Sequence, residues 1–132
     1  MKKIKKALIS VSDKKKLGCL LKVLAKYKIE LISSGGTYKE IKKLKFKCQE
    51  VSEYTGSPEI LDGRVKTLHP KIHAGILSKR NDKSHIKELK ANQYDEIDLV
   101  IVNFYPFEKT LEKKKQSFKN NREYWCWRPN YG

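Results

Sequence analysis

The segment from Gly63 to Pro70 concentrates side chains that can bind an anion. Arg64 offers a planar guanidinium fork, Lys66 a point charge and Thr67 a hydroxyl donor. The glycine and the proline exclude the interior of a regular helix or strand. The segment is therefore predicted to be an ordered anion-binding loop, although a solvated basic loop in a lysine-rich chain fits the same pattern.

A second candidate site combines glycines and hydroxyl groups directly after an apolar, strand-like run. It comprises Ser34, Gly35, Gly36 and Thr37. The glycines let the backbone approach a phosphate closely, and the N–H groups of the following helix point at it. Ser12 and Lys14 hold the same place after the first strand-like run, which favours phosphate binding. The alternative is a plain strand-to-helix turn in which Thr37 caps the helix.

A third pair of polar residues, Asn103 and Tyr105, follows the most apolar run of the chain. Asn can bond both edges of a heterocycle or amide, and Tyr can donate to a developing oxyanion. A turn residue and an aromatic residue at the rim are the alternatives. His69 and His73 have an i, i+4 spacing, but Pro70 lies between them and no third ligand accompanies them, so no metal is expected.

The elements that position these residues follow from the spacing of apolar side chains. Strands are predicted at 5–10, 29–33, 46–51 and 97–103, and helices at 14–27, 37–44, 72–78, from 82 or 84 to 91, and at 107–114. This alternation indicates an α/β fold with a mainly parallel sheet, in which 97–103 is central. Right-handed crossovers place all strand-to-helix loops at one edge of the sheet, where the polar clusters should meet.

Two helices carry more detailed predictions about burial and capping. The buried face of the first helix is predicted to hold Leu17, Cys19, Leu20, Leu21, Val23 and Leu24. Ser12 and Asp13 are its predicted N-caps. In the helix at 72–78, Ile76 and Leu77 are predicted to point inward together with Ile72.

The composition restricts the class of protein. A chain of 132 residues with 39% apolar residues can form one domain with a real core. No signal peptide or membrane span is recognised, and the three cysteines are unpatterned and read as reduced thiols, so a cytoplasmic location is expected. The formal net charge of +15 favours anionic partners. The lysines are dispersed and do not alternate with aromatic residues, so nucleic acid is an unfavoured partner.

Four segments together resemble a known family. They are residues 10–14 (SVSDK), 31–37 (LISSGGT), 51–77 (VSEYTGSPEILDGRVKTLHPKIHAGIL) and 102–107 (VNFYPF). In this order they closely resemble the IMP cyclohydrolase domain of the bifunctional purine enzyme that also carries AICAR formyltransferase. The similarity covers about residues 5–115, and residues 1–115 are the predicted domain, an incomplete one.

The resemblance implies a methylglyoxal synthase-like, three-layer α/β fold and an enzymatic activity. That activity closes the formamido intermediate FAICAR to IMP with loss of water. The resemblance implies that Lys66 and Tyr105 lie at the reacting centre, that no cofactor or metal is used, and that the enzyme is a homodimer. The positions that match its nucleotide-binding residues are Ser12, Lys14, Ser34, Gly35, Gly36, Thr37, Arg64, Lys66, Thr67 and Asn103.

The similarity ends near residue 115, and residues 116–132 are interpreted as an aberrant tail. The family continues there with a segment like IENIDIGGPTM, which supplies an aspartate, and then with RAAAKN, which supplies a lysine. One permitted coding sequence for residues 121–132, read one base later, gives IENIGVGGPTM. We therefore predict a frameshift near residues 116–121, and weak or no cyclohydrolase activity for this chain.

Other functions remain open from the sequence alone. A phosphate-ligand-binding regulatory module of the same fold needs only the phosphate cradle, whereas Lys66 and the Asn103–Tyr105 pair favour the cyclohydrolase. A methylglyoxal synthase would need catalytic aspartates near the phosphate loop, and none follows Thr37.

Overall fold

The computed structural model describes residues 3–103. Its strands are β1 (Lys6–Ser10), β2 (Glu30–Ser33), β3 (Gln49–Glu50) and β4 (Leu99–Val102). Its helices are α1 (Leu17–Lys26), α2 (Gly35–Lys43), α3 (Val51–Thr55), α4 (Pro70–Leu77) and α5 (Lys83–Ala91). Tyr105, the helix predicted at 107–114 and the tail at 116–132 lie outside the described residues.

The four strands form a parallel sheet in the order β3-β2-β1-β4. Ala7 of β1 pairs with Leu31 of β2 on one side and with Leu99 of β4 on the other. The predicted α/β fold with a parallel sheet is confirmed. Since all four strands run in the same direction, their carboxyl ends lie at one edge, and the loops after β1, β2 and β4 begin there.

Helices cover both faces of the sheet because successive strand residues point to opposite sides. On one face, Ala7 and Ile9 of β1 pack with residues of α1 and α2 in a cluster completed by Leu17, Leu21, Leu24, Leu31, Ile41 and Cys48. On the other face, Leu8 packs with α3 and α4 in a cluster completed by Ile32, Val51, Tyr54, Ile72 and Ile97. This is the three-layer arrangement that the resemblance implies.

The first helix begins later and buries a narrower face than predicted. Its N-cap is Lys16, without a side-chain cap, and Asp13 instead accepts a bond from the N–H of Lys15 at 3.0 Å. Cys19 is exposed and Val23 is 53% exposed, so both predictions of burial are wrong. At about 100° per residue, these two positions lie on the side of the helix opposite the buried leucines.

Three further predictions are corrected by the structure. The strand at 99–102 lies at an edge of the described sheet, not at its centre, and its Val102 is 62% exposed. Leu77 is 73% exposed, because it is one residue beyond Ile76, which packs on the core. Thr37 is not a cap: it lies within α2 and is buried, while Ser34 is the N-cap. Among residues 3–103, no helix combines the length and the apolar character of a membrane span.

Candidate functional site

Asn103, at the end of β4, binds the loop between β1 and α1. Its Oδ1 accepts bonds from the backbone N–H of Ser12 at 2.6 Å, from the Ser12 hydroxyl at 3.1 Å and from the N–H of Asp13 at 3.3 Å. Its Nδ2 donates to the carbonyl of Asp13 at 3.0 Å. The amide group therefore fixes the loop that carries Ser12 and Lys14 against the carboxyl edge of the sheet.

Thr37 holds the same loop from the side of α2. Its hydroxyl accepts a bond from the N–H of Val11 at 3.1 Å and donates one to the carbonyl of Val11 at 3.0 Å. In β2, the strand directly before this helix, the buried Ser33 hydroxyl donates to the carbonyl of Ile9 at 2.7 Å. Since the Thr37 proton is already donated to Val11, only its backbone N–H is left to face a ligand.

Two lysine ammonium groups approach the glycines that begin α2. A Cβ built on Gly35 would lie 2.6 Å from Lys66 Nζ, and one built on Gly36 would lie 3.9 Å from Lys14 Nζ. Gly35 has a φ of +53°, a left-handed conformation that favours glycine. Lys14 Nζ also donates to the carbonyl of Ser12 at 3.2 Å. The start of α2 is thus flanked by two positive charges, beside backbone N–H groups that favour anions.

Lys66 reaches this position from a short hairpin between α3 and α4. Ile60 and Val65 exchange two backbone bonds, of 3.2 and 3.3 Å, in an isolated antiparallel bridge. Leu61, Asp62 and Gly63 between them all have positive φ. Lys66 Nζ lies 3.9 Å from Oε2 of Glu59, which sequence reasoning did not single out. Local spacing carried no signal for this pair, because it depends on the hairpin bridge.

The structure therefore places most of the predicted binding residues in one region. Those joined by the contacts above are Ser12, Lys14, Gly35, Gly36, Thr37, Lys66 and Asn103. Ser34 is next to them in the chain, as the N-cap of α2. Arg64 is exposed and Thr67 is half-buried on the loop that carries Lys66, and the contacts above do not bring either side chain to the glycines. Their roles, like that of Tyr105 beyond the described residues, stay predictions.

The two histidines that follow Lys66 bond to the start of α4. His69 is the N-cap, and its Nδ1 accepts from the N–H of Lys71 at 3.1 Å. His73 Nδ1 lies 3.2 Å from the carbonyl of His69. Within residues 3–103, no group of three or more potential ligands is arranged to hold a metal ion.

Two cavities elsewhere in the described chain contain none of the predicted site residues. One of about 220 Å³ lies between α4 and α5, and one of about 320 Å³ lies at the amino ends of the strands. In the second, burial acts to lower the pKa of Lys6, but hydrogen bonds to Asp95 and Glu30 and the nearby negative charge outweigh it and raise that pKa. Lys6 is paired with Glu30 and Asp95, and Asp98 is paired with Arg80, so the carboxyl edge is the better candidate for a binding site.

Comparisons with known proteins agree with this architecture. Residues 16–123 match the family described as the MGS-like domain. Over 115 residues the chain is 52% identical to the bifunctional purine biosynthesis protein PurH of Oenococcus oeni, with 87% of this chain and 23% of that protein covered. It is 50% identical over 117 residues to PurH of Elusimicrobium minutum, with 89% of this chain and 23% of that protein covered. The chain thus spans under a quarter of the length of these curated relatives.

One solved structure is also similar to the described fold. The crystal structure of ForH superposes with a TM-score of 0.70 at 31% identity, and the alignment covers 76% of this chain and 51% of ForH.

Proposed function

We propose a nucleotide-binding, ring-closing function, starting from the premise that this chain belongs to the MGS-like domain family. Its relatives at about half identity are bifunctional purine biosynthesis proteins. The resemblance found in the sequence and the methylglyoxal synthase-like fold are both confirmed. The specific proposal is that the carboxyl edge binds FAICAR and IMP and is the cyclohydrolase site.

The observation that carries this proposal is the approach of Lys14 and Lys66 to the bare backbone of Gly35 and Gly36. A phosphate monoester is dianionic near neutral pH, and it needs donors that converge without a side chain in the way. Backbone N–H groups at the start of α2 and the Lys14 ammonium supply such donors. We call the two glycines and the two lysines the cradle, and we assign the phosphate to its Gly36 side, next to Lys14.

Lys66, on the Gly35 side, is then left to act on the base. In ring closure the carboxamide nitrogen attacks the formyl carbon, a C–N bond forms, and the formyl oxygen becomes an oxyanion. The Lys66 ammonium can stabilise that charge, and Tyr105 is the proposed second donor. One proton then moves from the attacking nitrogen to the oxyanion, and the resulting hydroxyl leaves as water with the proton of the formamido nitrogen as the C=N bond forms and completes the aromatic ring. A homodimer and a cytoplasmic location, both expected from the sequence, belong to this proposal.

A phosphate-binding regulatory module is the second candidate. It is supported by the same cradle, since binding of a simple phosphate requires nothing beyond the backbone of the two glycines and the ammonium group of Lys14. The two functions differ in what they require of Lys66. The cyclohydrolase needs it at the base, whereas the module would recognise the phosphate alone.

Ligand binding is the first test, because we expect this chain to close the ring weakly or not at all. IMP at ~100 times its dissociation constant should raise the free energy of unfolding by ~2.7 kcal/mol, measured by thermal unfolding. Lys66→Met should weaken IMP binding about ten-fold or more through the lost charge-assisted contact. Lys87→Met, an equal charge change on the exposed face of α5, is the matched control.

Two results would refute the proposal. One is the absence of any stabilisation by IMP. The other is an equal stabilisation by IMP and by ribose 5-phosphate that Lys66→Met leaves unchanged, which would favour the regulatory module.

A further inference from the structure

Glu59 places a partly unsatisfied carboxylate beside Lys66. Its Oε2 is 3.9 Å from Lys66 Nζ, which is beyond hydrogen-bonding distance. Its Oε1 is buried and has no hydrogen-bond partner within residues 3–103. A buried acceptor without a donor is costly, and more so when it is charged. This oxygen is therefore poised to accept a hydrogen bond.

The hairpin register fixes this carboxylate in place. Because Ile60 is opposite Val65 in an isolated antiparallel bridge, Glu59 and Lys66 are the two residues directly outside that bridge and face each other across it. Neighbouring positions on a strand alternate in direction, so Glu59 and Lys66 leave the hairpin on the same face. The backbone thus sets the closeness of the two charges.

Gly63 provides the surface on which the two side chains meet. A Cβ built on this glycine would lie 2.9 Å from Glu59 Oε2 and 3.1 Å from Lys66 Nζ, and its φ of +71° also favours glycine. The same Lys66 Nζ is the atom that approaches Gly35. Glu59 Oε2 therefore lies beside the ammonium group that the proposed function assigns to the base of the nucleotide.

We propose that Glu59 determines the specificity of this site, by accepting a hydrogen bond from an N–H group of the bound base at Oε1. The inference rests on the proposed function. The candidate donor is the nitrogen that attacks in ring closure, which belongs to a carboxamide in the substrate and remains an N–H in IMP. A phosphate ester without a donor would leave Oε1 unpaired, and a second anion would be repelled by it.

The test measures dissociation constants of IMP and ribose 5-phosphate for the full chain. Glu59→Met removes the acceptor while keeping the length of the side chain, and it should weaken IMP binding by about 10- to 100-fold. Ribose 5-phosphate binding should change by less than about two-fold. Glu59→Gln retains a neutral carbonyl acceptor and should restore part of the loss. Glu88→Met, on the exposed surface of α5, is the matched control.

Equal losses for both ligands, or equal losses in Glu59→Met and Glu59→Gln, would overturn the inference, since they would indicate a structural or purely electrostatic role. If both variants fail to fold, the unmodified chain decides: a preference for IMP over ribose 5-phosphate below about ten-fold contradicts the hydrogen bond. The proposed function fails separately, when IMP does not bind the unmodified chain at all.

Discussion

Replacing Gly35 by alanine tests whether the glycine pair forms the cradle. At a φ of +53° an alanine is strained, and the new Cβ would lie 2.6 Å from Lys66 Nζ. The left-handed conformation costs ~1–2 kcal/mol, partly offset by the lower entropy of the unfolded alanine variant, so a net loss of ~1 kcal/mol is expected. The midpoint of thermal unfolding should fall by roughly 3–6 °C.

The same substitution should also weaken ligand binding. Lys66 Nζ must retreat by about 0.8 Å, from 2.6 Å to the 3.4 Å at which ordinary contact begins. Displacing one charged donor should cost ~1 kcal/mol, or about a five-fold rise in the dissociation constant of IMP. Urea unfolding and IMP titration measure the two effects separately.

Gly36→Ala is the matched control for the effect on stability; it is no control for binding, because the proposed phosphate site needs the bare backbone of both glycines. Its Cβ would be in ordinary contact with Lys14 Nζ at 3.9 Å, and Gly36 is not in the left-handed region. Its stability should therefore be unchanged, or higher by up to ~1 kcal/mol through the helix propensity of alanine. If Gly35→Ala is as stable as Gly36→Ala and binds IMP with unaltered affinity, the described cradle is wrong.

Two further predictions concern stability away from this site. Asp98→Ala should cost ~3 kcal/mol in urea unfolding, because this 7% exposed carboxylate accepts bonds from Arg80 and from two backbone N–H groups at the start of β1. Asp95→Ala is the comparison: the Asp95 side chain, which pairs with Lys6, is 63% exposed, so its loss should cost under ~1 kcal/mol. Equal losses in the two variants would contradict the argument. Burial raises the pKa of Cys48 from 9.0 to about 11, so the unfolded chain loses this proton first and the free energy of unfolding should fall as the pH rises from 9.0 towards 11. Cys48→Ala should flatten that part of the pH dependence, and an unchanged slope would refute the assignment.

The carboxyl edge was predictable from the sequence because it follows from a rule about parallel strands. Ser12 follows β1, Gly35 follows β2 and Asn103 follows β4, and the sheet brings all three to one edge. The rule did not predict which group each of these side chains bonds to. Asn103 and Thr37 have suitable groups for a nucleotide, yet in the structure those groups bond to the loop after β1.

The wrong predictions of burial arose where the same pattern of apolar residues fits both a buried and a partly exposed position. The apolar run at 99–102 is typical of a strand buried on both faces, but β4 pairs only with β1 among residues 3–103, and Val100 and Val102 are 40% and 62% exposed. Cys19 and Val23 are apolar and lie in a helix, but only the side that faces the sheet is buried. Composition alone cannot assign which side that is.

The position of Lys66 could not be predicted from the rule that parallel strands end at one edge of the sheet. This lysine follows no strand of the sheet, and it reaches Gly35 only because the Ile60–Val65 bridge and three successive left-handed residues reverse the chain. Two of those residues, Leu61 and Asp62, are not glycines, so the sequence carries little sign of the turn. The proposed site therefore has two independent supports: the sheet holds the phosphate side and the hairpin holds the charge beside the base. Changes within the hairpin can alter recognition of the base without disturbing the core, which is why specificity is assigned to Glu59 and phosphate binding to the glycines of α2.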